Sequence, residues 1–193
     1  LYNTGESTKN IDWKLYARTD KLFTKRYEEE TNLRCQIVID TSSSMLFPFE
    51  EHSIQNKLAF SLYSAAALIH LLRKQRDAVG LSFIADEIEL NTPARLSDAH
   101  IQMLYANLNN CLHQSQNRSL FEHKTSLSKT LNLLAETIHK RSLVIIFSDF
   151  LQDQSYRELY DALQHIRYNK NEVILFHVTE PLREETFAFE NRP

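Results

Sequence analysis

Two periodicities alternate along this chain. Gln36 to Ile39, Val79 to Ile84 and Leu143 to Phe147 are short, largely apolar runs, the pattern of strands buried within a sheet, and Glu172 to Val178 reads as the last strand. Between them the apolar residues recur at helical spacing. Ile54 to Arg73 places Leu58, Leu62, Ala65, Ala66, Ile69 and Leu72 on one face, and Ser126 to His139 does so with Leu127, Leu131, Leu134 and Ile138. Tyr156 to Arg167 predicts another helix, and Ser97-Asp98 reads as the N-cap of one running to about Asn109. A polar turn at Asp86-Glu87 and a short strand near Ile88 to Leu90, stopped by Pro93, complete the middle of the chain. Asn110 to Lys124, with His113, Gln114, Gln116, Asn117 and His123, is polar and reads as a loop.

Strands separated by helices of ten or more residues imply right-handed crossovers. The predicted class is therefore α/β, with a mostly parallel central sheet flanked by helices on both faces. Residues 1–30 differ in character: Trp13, Tyr16, Phe23 and Tyr27 lie among Lys and Arg, and Lys21 to Tyr27 alternates like an exposed strand. The expected organisation is an N-terminal β-arm or hairpin over 1–30, packing on a domain over 31–193. Stacking on RNA is the other use of such aromatic-basic segments, but hairpin packing with solvated Lys and Arg is the simpler expectation.

Composition narrows the function more than it defines it. A length of 193 residues favours one domain, and a formal charge of −3 gives no footprint for nucleic acid or anionic lipid. Cys35 and Cys111 make no disulfide framework, which suits reduced thiols in a cytoplasmic protein. No apolar run reaches the length of a membrane span and no signal peptide opens the chain, although it begins at Leu1 and an anchoring segment ahead of it is compatible with the sequence. With glycine only at Gly5 and Gly80, a Gly-rich phosphate loop is excluded. The eight histidines lack ligand spacing; His70 and His177, in apolar surroundings, are expected to be satisfied core residues.

The chemistry concentrates where strands end. Asp40-x-Ser42-x-Ser44 follows the first strand, Thr125 opens a helix, and Asp149 closes an apolar strand. In parallel sheets ligands bind beyond the carboxyl ends of the strands. Hydroxyls and carboxylates are oxygen ligands for Mg²⁺, Mn²⁺ or Ca²⁺ rather than zinc. Neutral hydroxyls leave such an ion with charge to attract an external carboxylate. The competing account is structural: Ser42 to Ser44 and Thr125 cap helices, and Asp149 ends its strand in a turn.

This arrangement resembles the metal-ion-dependent adhesion site of von Willebrand factor A domains, as in integrin inserted domains. Asn10-Ile11-Asp12-Trp13-Lys14-Leu15-Tyr16-Ala17-Arg18-Thr19, followed by Tyr27-Glu28-Glu29-Glu30, resembles the signature of a bacterial group catalogued as domain of unknown function 58. The likeness spans nearly the whole chain, including Val79-Gly80-Leu81 and Ser148-Asp149-Phe150. It implies a Rossmann-like von Willebrand factor A fold and a Mg²⁺ site formed by Asp40, Ser42, Ser44, Thr125 and Asp149. It also implies a non-enzymatic adaptor that works with a MoxR-type AAA+ ATPase in maturing other proteins or complexes, the metal bridging to a partner's Glu or Asp. The chain departs from the pattern at Lys124, where many relatives carry glycine, and it stops early relative to them. Two alternatives remain: a metal-dependent phosphoester hydrolase, and a structural domain with a vestigial metal site. Against the hydrolase, Ser42 stands where an aspartyl-phosphate enzyme needs a second aspartate, and no glycine-flanked nucleophile elbow exists.

Overall fold

The computed structural model describes residues 13–23, 33–48, 56–115, 127–151 and 155–186. The chain divides into two compact units, Leu1–Thr31 and Asn32–Pro193. In the first unit Trp13–Thr19 forms helix α1, within which Trp13 and Tyr16 meet edge to face at 6.1 Å. Spacing of three residues puts these rings on one side of a helix. Of the strand expected over Lys21 to Tyr27, Lys21 to Phe23 has no regular structure and 24–27 lie outside the described residues.

The second unit runs β1 (Arg34–Asp40), α2 (Lys57–Lys74), β2 (Ala78–Ile84), β3 (Ile88–Asn91), α3 (Asp98–Gln114), α4 (Leu127–Thr137), β4 (Leu143–Ser148), α5 (Tyr156–Tyr168) and β5 (Glu172–His177). Its sheet has the order β3-β2-β1-β4-β5, with β3 antiparallel to β2 and every other pair parallel. The predicted α/β class, a mostly parallel sheet between helices, is the observed one. Alternate residues of β1 divide the core in two. Cys35, Ile37 and Ile39 face α2 and α3, joined by Leu62, Ile69, Leu104 and Phe147. Val38 faces α4 and α5, with Leu131, Leu134, Ile146, Ala162 and Ile166. Burial on both faces is why β1, β2 and β4 read as continuous apolar runs.

At Gly80, in the middle of this sheet, a Cβ would stand 2.6 Å from the Thr92 carbonyl oxygen and 2.9 Å from the Ala94 nitrogen, so the backbone approach itself requires glycine. Beside it the buried Gln36 amide donates to Ser82 Oγ at 2.8 Å and to the Thr92 carbonyl at 3.2 Å.

Two expectations need correction. Helix α3 does not stop near Asn109 but continues to Gln114, because Leu104, Leu108 and Cys111 extend its buried stripe through the polar stretch. His70 and His177 are exposed rather than core residues. Among the described residues the buried histidine is His100, whose Nε2 lies 2.9 Å from the Val79 carbonyl. Asp86 and Glu87 form the expected exposed turn, closed by Ala85 N–H donating to the Glu87 carbonyl.

Candidate metal-binding site

The chain leaves β1 toward β2 and β3, then returns to place β4 on the other side of β1. The carboxyl ends of β1 and β4 are therefore neighbours at the point where strand order reverses, the usual ligand crevice of such sheets. Asp40 is the last residue of β1, and Ser148 and Asp149 close β4.

Beyond Asp40 the loop is tied down in short steps. Thr41 N–H donates to the Ile84 carbonyl at 2.8 Å, anchoring the turn to β2. Ser42 N–H donates to Asp40 Oδ1 at 2.9 Å, a local bond that aspartate forms readily two residues on. Ser43–Leu46 then makes one 3₁₀ turn, pinned by the buried Met45 and Leu46. Ser42 stands at the N-cap of that turn, but its side chain makes no capping bond. Its Oγ instead lies 3.1 Å from Ser44 Oγ. The cap of α2 is Asn56, whose side chain accepts Ala59 N–H at 2.7 Å. The capping account of Ser42 is thus not what the structure shows.

Asp40 is almost fully buried, and both of its oxygens are engaged: Ser148 Oγ donates to Oδ2 at 2.6 Å. Burial pushes the Asp40 carboxyl above the ordinary aspartate range, the bonds from Ser148 and Ser42 pull it back in part, and the charge of Asp149 adds to the rise. A buried carboxylate next to a second one calls for positive charge nearby.

Asp149 already has such a charge. The Lys57 ammonium, on the first residue of α2, lies 2.8 Å from Asp149 Oδ2 with side chains only 2% and 1% exposed. The same Nζ is 2.6 Å from Glu184 Oε1, on the Pro181–Glu185 turn after β5, and 5.7 Å from the centroid of the Phe47 ring. Asp149 Oδ1 accepts Leu151 N–H at 3.0 Å. Burial alone would raise the Glu184 carboxyl, but the hydrogen bonds from Lys57 and Glu180 N–H, with the charges of Lys57 and His177, outweigh it and hold the group below the ordinary range.

Asp40, Ser42, Ser44 and Asp149 are therefore brought to one edge. Thr125 and Lys124 lie outside the described residues. Among the described residues there is no group of three or more His, Cys, Asp or Glu poised around a metal. The donor set that is present, two carboxylates and a pair of hydroxyl oxygens, suits a hard cation such as Mg²⁺ by its chemistry. Ser148, Lys57 and Glu184 escaped the sequence reading. Ser148 had a signal in its place beside Asp149. Lys57 had one as the lone charged residue between Ile54 and Leu72. Glu184 had none.

A mostly parallel sheet with helices on both faces, a strand-order reversal at its centre and an Asp-x-Ser-x-Ser loop at that reversal define a von Willebrand factor A-like domain. More narrowly, the chain belongs to the family described as "Protein of unknown function DUF58", whose model matches residues 1–187. Among solved structures it is similar to an aerotolerance-related membrane protein from Bacteroides fragilis NCTC 9343. The identity is 20%, over 77% of this chain and 69% of that one, with a TM-score of 0.52. It is also similar to the conserved hypothetical protein BatB from Bacteroides thetaiotaomicron, with 16% identity over 74% of this chain and 65% of that one and a TM-score of 0.50. The chain thus spans about two thirds of the length of these structures. A fainter likeness, at 13% identity and a TM-score of 0.44, is to the SpRpn10 VWA domain. No curated protein matches the chain.

Proposed function

We propose that this chain is a non-enzymatic protein-interaction domain that recognises an acidic residue of a protein partner through a divalent cation, Mg²⁺ first, with Mn²⁺ or Ca²⁺ as substitutes. The observation that carries this reading is the Ser42–Ser44 hydroxyl pair, 3.1 Å apart and free of capping duty, beside the buried Asp40 carboxyl. When bound, the cation contributes unneutralised positive charge that draws in an external carboxylate. Ser42 and Ser44 offer neutral oxygens. Asp40, fixed by Ser42 N–H and Ser148 Oγ, supplies charge and holds the loop in shape. Asp149 supplies the second charge from the neighbouring strand end, and Thr125 is the fifth ligand on the strength of its sequence position.

The family likeness suggests the partner: a MoxR-type AAA+ ATPase, for which the domain acts as an adaptor. We read its place of work as the cytoplasm, in keeping with two unpaired, buried cysteines. Among the described residues no helix is long and apolar enough to cross a membrane. One of the similar structures is nevertheless described as a membrane protein.

Calorimetric titration with Mg²⁺ tests the site. The wild-type chain is expected to bind in the millimolar range or tighter, and Ser42→Ala/Ser44→Ala to bind about 10-fold or more weakly, the effect typical of lost metal-site support. Equal binding by the two proteins, or none by either, contradicts the proposal.

A further inference from the structure

The least expected group at this edge is the Lys57 ammonium. It sits on the first residue of α2, where the helix dipole disfavours a cation, and its side chain is only 2% exposed. A buried ammonium is costly unless paired, and two carboxylates from distant segments converge on it. Asp149 is 92 residues away in sequence and Glu184 is 127 residues away. Their exposures differ: the Asp149 side chain is 1% exposed and that of Glu184 is 26%. Asp149 is thus the inner partner of Lys57 and Glu184 the outer one. Glu184 is itself positioned by Glu180 N–H, which donates to its second oxygen at 2.8 Å. Leu151 N–H donates to Asp149 Oδ1 and Lys57 to Oδ2, so both oxygens are already engaged and a cation drawing on this carboxylate meets the ammonium as a rival.

We infer that Lys57 and Glu184 form a latch on this site: the Lys57 ammonium competes with a divalent cation for Asp149, and Glu184 strengthens the ammonium's side of that competition. The inference rests on the reading of this edge as a cation site and adds its regulation. Cation binding requires Lys57 to leave Asp149, and whatever draws Glu184 away from Lys57 favours the cation. The Pro181–Glu185 turn becomes the element through which an acid-recognising site is opened or closed from within the same chain.

Glu184→Gln separates the latch from simple electrostatics. Removing a negative charge near a cation site weakens cation binding by Coulomb attraction alone. The latch requires the opposite sign. Mg²⁺ affinity is measured by calorimetry on the full 193-residue chain for wild type, Glu184→Gln and Lys57→Met. Both variants are expected to bind about 5-fold or more tightly than wild type, the scale of a modest coupling between sites. Should Lys57→Met fail to fold with Asp149 unpaired, the partly exposed Glu184→Gln alone decides the sign. Unchanged or weaker affinity in Glu184→Gln overturns the latch and leaves the cation site standing, as does unchanged affinity in a folded Lys57→Met. Absence of Mg²⁺ binding in all three proteins overturns both.

Discussion

At Asp40 a single carboxylate accepts two structural bonds, from Ser42 N–H and Ser148 Oγ, and carries one expected ligand role. The cysteines show the same logic without the chemistry. Burial pushes the Cys35 thiol up to about 12, with the charge of Asp77 adding to it, and burial together with Glu89 does the same for Cys111. The thiolate is the reactive form, so neither sulfur is a nucleophile in the native protein. A thiol reagent such as DTNB is expected to modify neither at pH 7 to 8 and both after unfolding; rapid labelling of the native chain contradicts this. Glu184 gives a pH signature. Its folded pKa lies below the ordinary glutamate value of 4.5, so its contribution to stability is present above that value and is lost as pH falls through the lowered one. Wild type should therefore lose stability on acidification below about pH 4.5 more steeply than Glu184→Gln. Parallel acid profiles of the two proteins contradict an ionised Lys57–Glu184 pair.

Helix α4 shows how an amphipathic element ties the sheet to a second helix. It buries Leu127, Leu131, Leu134 and Ala135 against Leu159, Ala162 and Ile166 of α5 and against Val144 and Ile146 of β4, while Leu133 remains half exposed. Leu131→Ala is expected to cost about 2–5 kcal/mol in urea unfolding, whereas Leu133→Ala costs about 0.5 kcal/mol or less. Equal effects would show that this stripe is not the buried one. Elements of this kind were legible in the sequence because a single period governs each. Strands β1, β2 and β4 begin and end within a residue or two of their apolar runs, since burial on both faces leaves few polar positions to blur them, Gln36 and Ser82 being paired with each other. The expected last strand is β5, which lies at the sheet edge with Ile174, Leu175 and Phe176 44%, 44% and 41% exposed. The expectation for His70 fails, since apolar neighbours along a helix do not say which face a residue takes. Asp40, Ser42 and Ser44 were legible because three residues of local sequence build their loop. The Lys57–Glu184 contact was not, because a pair 127 residues apart exists only once the sheet has brought its ends together.

Across the whole molecule, the reversal of strand order between β1 and β4 places both aspartates at one edge, and the buried faces of α2 and α4 hold the two sides of the sheet against it. That edge has a buried inner wall, in Asp40 with Ser148, and a more accessible outer one in Glu184. The proposed interaction joins this edge to a partner through a divalent cation. Its most direct test is capture of a purified MoxR-type AAA+ ATPase from the same genome by the immobilised chain, in Mg²⁺ and in EDTA. Retention in Mg²⁺, release by EDTA, and loss of retention in Ser42→Ala/Ser44→Ala are expected. A complex that EDTA leaves intact, or failure to capture the ATPase in Mg²⁺, would contradict the proposed interaction.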